Sequence, residues 1–124
     1  MDENLIKNLP RGEVLDLGLA AGFEQNGISS LTLVQRQSLA ITLMGLDAGE
    51  SIGGHSSNGD ALVLILTGNA EITIGEKLSV VGKDQAILMP AHVRHALHAR
   101  EAFTMLLVVV KPEDPTEGAE HGES

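Results

Sequence analysis

Cysteine, tryptophan and tyrosine are absent from this 124-residue chain, and its two phenylalanines stand at Phe23 and Phe103. Without cysteine there is no disulfide and no thiolate metal site. With so few rings, an aromatic platform for sugars or an aromatic cage for a quaternary ammonium group has nothing to be built from. Basic residues are scarce too, 8 Lys and Arg against 17 Asp and Glu, giving a formal net charge of −9. That balance argues against nucleic acid and anionic membrane as partners, because both need a positive field. Much of the acidity is local. After Lys111 come Glu113, Asp114, Glu117, Glu120 and Glu123, and no Lys or Arg. No apolar run approaches the ~20 residues of a membrane-spanning helix. The opening Met1-Asp2-Glu3-Asn4 lacks the basic start of a secretory signal, so a cytoplasmic location is expected.

A chain of this length makes one domain. It buries about two-thirds of its unfolded surface, enough for a core without covalent staples. Residues 1–27 read as an N-terminal arm, within which Glu13 to Ala21 suits a short helix or an extended segment equally. Residues 28–111 carry the strand signals. Ile28 to Val34 and Leu39 to Met44 flank a polar turn. Asp60 to Thr67 is apolar on both parities, with Ala61, Val63 and Ile65 on one face and Leu62, Leu64 and Leu66 on the other. Such a strand is covered on both faces, by the interior on one side and by a second layer or partner subunit on the other. Ala70 to Ile74 and Leu78 to Val81 form a hairpin around Gly75-Glu76. Further strands run Ala86 to Met89, His95 to Ala99 and Phe103 to Val110. Short strands at this spacing, with no long helix, imply an all-β sandwich or barrel. Residues 112–124 are too polar to fold alone and are expected to be a disordered acidic tail.

Four of the five histidines fall between Gly49 and Ala99. His92, His95 and His98 are three apart, a spacing that alternates faces along a strand, so His98 should point away from His95. His92 follows Pro90 and can escape that parity in a loop. Asp60 is out of phase with Ala61, and Gly53-Gly54 reads as a bend or bulge. There is no HExxH, no phosphate-cradling glycine loop and no nucleophile elbow.

From Leu39 to Val110 the residues resemble the cupin superfamily. Gly49, His55 and Gly68 stand at the spacings of its first motif, with Ser57 at the second histidine position and Ala61 at the glutamate position. Pro90 and His95 match the second motif, with Asp84, His92 and Ala99 where Gly, Gly and Asn are usual. Asp tolerates the left-handed turn that such a glycine supplies.

The resemblance implies an all-β double-stranded β-helix, the jelly-roll cupin barrel. It implies a pocket lined by Ser57, Ala61, Val63, Ile65 and Leu97. Where a cupin binds one divalent metal ion, the ligand positions that transfer are His55 and His95, with His92 and Asp60 as candidate additions. Two imidazoles alone make an incomplete site, since even a catalytic zinc keeps three protein ligands. Small cupins pair through their sheets, so a homodimer is expected. Two functions follow from the resemblance. One is a small-molecule-binding barrel of unassigned role, with or without a metal. The other is a metal-dependent oxygenase, isomerase or decarboxylase acting on a small metabolite.

Overall fold

A computed structural model describes residues 4–22 and 27–113, with the backbone alone at His55. The expected tail lies almost wholly outside the described residues, as does Phe23. The elements are α1 (Leu17–Ala21), β1 (Ile28–Gln35), β2 (Leu39–Leu46), β3 (Ser51–His55), β4 (Asp60–Thr67), β5 (Asn69–Ile74), β6 (Lys77–Gly82), β7 (Ala86–Met89), β8 (His95–His98) and β9 (Phe103–Val110). The strands divide into a five-stranded sheet ordered β1-β2-β9-β4-β7 and a four-stranded sheet ordered β3-β8-β5-β6. Every described ladder is antiparallel. This is the expected jelly-roll arrangement, with no ladder joining the two sheets among the described strands.

Strand parity builds the core. Register pairs Ala61 with Val109, Val63 with Leu107 and Ile65 with Met105, so β4 and β9 present one continuous inner row. In the other sheet Ile72 pairs with Leu97 and points the same way. These residues form one buried cluster with Leu46, Phe103, Ala70 and Val81. Burying a Val, Leu or Ile side chain completely contributes ~1.5–3 kcal/mol. The inner rows therefore dominate the stability of the domain.

The opposite face of β4 has two different covers. At its C-terminal end Leu66 packs in a second cluster with Ala21, Leu33, Val34 and Leu43, alongside Leu17 and Leu106. The ambiguous N-terminal stretch thus becomes a short helix laid across the outer face. Asp16 caps it, its Oδ1 accepting from Gly18 N at 3.0 Å and Leu19 N at 3.4 Å. Ahead of the helix the arm is tied to β1, with Lys7 N donating to Leu33 O at 2.7 Å. At the N-terminal end of β4 the cover stops. Leu62 is 43% exposed, its register partner Leu88 53% and Val110 53%. The expectation that β4 is covered on both faces holds within this chain only for its second half.

Two glycines fix how β3 lies on β8. Gly53 has φ +127° and Gly54 φ +81°, both in the region that disfavours side chains. A Cβ on Gly53 would stand 2.5 Å from Ala96 Cα and 2.6 Å from His95 O. Gly53 pairs with Ala96, and His55 pairs with His95, so Gly54 is the extra residue of a bulge. Gly53→Ala should therefore cost ~2–3 kcal/mol, from strain at positive φ and from the collision with β8. Thermal unfolding of the variant checks this; an unchanged midpoint would mean that β3 does not depend on that close approach.

Candidate functional site

The two sheets are packed solid at one end and open at the other. Phe103, Leu46, Ile65, Ala70 and Ala99 have no exposure and plug the closed end. Towards the N-terminal end of β4 a cavity of about 360 Å³ opens. The five-stranded sheet contributes Met44, Ala61, Met89, Met105, Leu107 and Val109 to its wall. Ile52, His95 and Leu97 come from the other sheet, and Ser57 and Lys111 complete the lining. A cavity of this size, mostly apolar with few polar groups, has the character of a small-molecule site.

Of the residues expected at a site, His95 is on the wall and only 8% exposed. Its Nδ1 lies 3.3 Å from Val93 O. A carbonyl oxygen only accepts, so Nδ1 carries the proton in that contact, and in the neutral ring Nε2 is the acceptor. The bulge at Gly54 puts His55 at the register position directly opposite His95. Ser57 lines the cavity and closes a small turn, its Oγ accepting from Gly59 N at 3.2 Å and donating to Gly59 O at 3.3 Å. Ala61 and Leu97 are also on the wall.

Val63 and Ile65 are not. They share the parity of Ala61 but are completely buried further along β4, inside the core cluster that plugs the sandwich. The rule of alternation gave their direction correctly. It carried no information on where along the strand the opposing sheet closes over them.

His92 and Asp60 stand outside the cavity. Both line a separate groove with Asn58, Ala91, Val110 and Pro112. Asp60 is exposed, as its parity implied, and its Oδ1 accepts from Ala91 N at 2.8 Å. His92 N donates to Ser57 O at 2.7 Å. The structure thus brings Asp60 and His92 to one another's neighbourhood and separates them from the cavity wall that holds His95. His98 faces away from the cavity, with Nδ1 2.7 Å from Ser51 Oγ.

This donor set does not fit a four-ligand metal centre. Ala61 has a methyl where the cupin pattern has a carboxylate, and the Ser57 hydroxyl is engaged in its own turn. Among the described residues no three His, Asp or Glu side chains are grouped as a metal would require.

One polar wall residue was not anticipated. Lys111 lines both the cavity and the groove. Its signal was in the sequence: Met105, Leu107, Val109 and Lys111 continue one period-2 row past the end of β9. The methionines Met44, Met89 and Met105 had no comparable signal beyond their apolar parity.

Residues 42–111 match the cupin domain family, and the chain belongs to it. Its fold is similar to that of a conserved protein of unknown function from Streptococcus pyogenes. That match has 54% identity and a TM-score of 0.87, and covers 90% of this chain and 98% of the other. A cupin superfamily protein from Desulfitobacterium hafniense is 31% identical with a TM-score of 0.82, covering 86% of this chain and 98% of that one. An uncharacterized protein of Streptomyces coelicolor is 26% identical over 84 residues, 68% of this chain and 80% of the relative. The described residues contain no helix long and apolar enough to cross a membrane.

Two non-glycine residues occupy left-handed backbone where the cupin pattern has glycine: Asp84 at φ +68° and His92 at φ +69°. Left-handed backbone costs a side-chain-bearing residue ~1–2 kcal/mol. His92→Gly should remove that strain and raise stability by about 1 kcal/mol, after allowance for the entropy of the unfolded glycine. Denaturant unfolding checks it; a destabilised variant would show that the His92 ring contributes contacts worth more than the strain.

Proposed function

We propose that this cupin binds a small, largely apolar organic molecule in the cavity between its sheets. The observation that carries the reading is the cavity itself, about 360 Å³ walled mainly by aliphatic and thioether side chains, with Ser57, His95 and Lys111 among them. Such a lining buries an apolar body and leaves a few polar groups to orient it. The methionines provide a direct test. The chain has four, and Met44, Met89 and Met105 line the cavity. Methyl-labelled methionine spectra recorded with hexanoate and hexanamide should show three resonances moving together. Ala61→Phe, which fills the cavity, should abolish those shifts while the protein stays folded. Shifts that survive the filled cavity, or none with either compound, would defeat the reading.

A metal-dependent oxygenase, isomerase or decarboxylase is the second reading. What favours it is the pairing of His55 opposite His95 across β3 and β8. The divalent ion would be held by these two imidazoles, without a carboxylate at Ala61. Elemental analysis of protein purified without a histidine tag separates the two readings. Stoichiometric metal that is lost in His95→Ala favours the enzyme.

We further propose a homodimer. Its support is the apolar strip Leu62, Leu88 and Val110 on the outer face of the five-stranded sheet, which α1 leaves uncovered. Burying those side chains against a second copy removes apolar surface from water. Leu62→Lys should convert a dimer to a monomer in solution scattering at micromolar concentration; a monomeric wild type would exclude the arrangement.

A further inference from the structure

We propose that the ligand of the cavity is an amphipathic monoanion, a small carboxylic acid whose carboxylate sits at Lys111 and whose apolar body extends between the sheets. The inference rests on the cavity being a ligand pocket and adds the chemical class of its occupant.

The first support is how charge is sorted. The chain has a formal net charge of −9, yet among the described residues no Asp or Glu lines the cavity and the one Lys or Arg that does is Lys111. Asp60 belongs to the groove, which Lys111 also lines, and its Oδ1 accepts from Ala91 N. Among the described residues no carboxylate forms an ion pair with Lys111, whereas Lys83 pairs with Asp84 and Arg100 with Glu71. A lysine at a pocket rim with no carboxylate ion-paired to it among the described residues is a place for an external one.

The second support is that Lys111 is positioned. Its backbone N donates to Ser38 O at 2.9 Å, extending β9 one residue past its end. Its stem runs over Gly59, where a Cβ would lie 2.8 Å from Lys111 Cγ and 2.9 Å from Val110 O. Gly59 is buried, so the missing side chain is the space the lysine stem occupies. The row Leu107, Val109, Lys111 then runs from the apolar wall to the cation along one strand.

The third support is the rest of the lining. One cation suits one negative charge, and the aliphatic wall offers nothing to a polyanion or a sugar. Methionine side chains adapt to irregular apolar shapes, which suits an alkyl or alicyclic body. A cationic ligand would be repelled at the rim.

The test uses hexanoate, hexanamide and hexylamine as matched probes, titrated calorimetrically at low salt and about pH 8. An exposed ion pair contributes little and a charge-assisted hydrogen bond more. A rim position between these limits predicts that hexanoate binds about five- to tenfold more tightly than hexanamide, with hexylamine weakest. Lys111→Met should bring the acid and the amide to within about twofold of one another, and Lys111→Arg should keep the preference for the acid. Raising the salt should narrow the gap in the wild type. Equal binding of acid and amide by the wild type, or a preference that survives in Lys111→Met, overturns the assignment while leaving the pocket intact. Binding of none of the three overturns the pocket and the assignment together.

Discussion

The structure depends on the burial of two period-2 rows against each other. Ala61, Val63 and Ile65 of β4, continued sideways by Val109, Leu107 and Met105 of β9, face Ile72 and Leu97 across the sandwich. A one-residue slip in either sheet would turn its row to solvent, so the packing fixes the register of every ladder in the core. The same rows decide where the cavity lies. At one end Phe103 and Leu46 fill the space between the sheets completely. At the other end Ala61 and Ser57 are short, and the sheets enclose a void lined by the ends of longer side chains. The pocket is thus the region where the core lacks volume, and it needs no separate scaffold.

Much of this was legible from parity and turn chemistry. The outward direction of Asp60 and His98, the bulge at Gly53-Gly54, the left-handed Asp84 and the hairpin around Gly75 all follow from local rules, and the structure has them. What remained illegible depends on how far one sheet extends over the other. Val63 and Ile65 have the right direction for a pocket and the wrong depth. The stretch Glu13 to Ala21 has no decisive period, so its helix arises from the outer apolar face it covers and from the Asp16 cap. Lys111 was overlooked because it follows the last strand, where the backbone bond to Ser38 prolongs the alternation.

The bulge matters for the site as much as for the sheet. With unbroken alternation Gly54 would stand opposite His95. The extra residue puts His55 there instead, two strands' histidines at one register position. The arrangement is possible only because Gly53 has no Cβ to meet Ala96. A position that looks like mere backbone permissiveness therefore determines which residue stands opposite His95 in the register.

Ala61 links the two features that set this cupin apart from the family's metal-binding pattern. A glutamate there would bring a carboxylate and a longer side chain into the wall, and a buried carboxylate needs a cation or hydrogen-bond donors to be tolerated. Alanine removes both the charge and the volume. The space becomes part of an apolar cavity whose one Lys or Arg, among the described residues, is Lys111. In the family's metal-binding pattern a wall carboxylate attracts a cation from outside. Here, among the described residues, the wall has no carboxylate and has a lysine at its rim. Ala61 and Lys111 together therefore favour, on simple electrostatic grounds, a negatively charged occupant over a positively charged one.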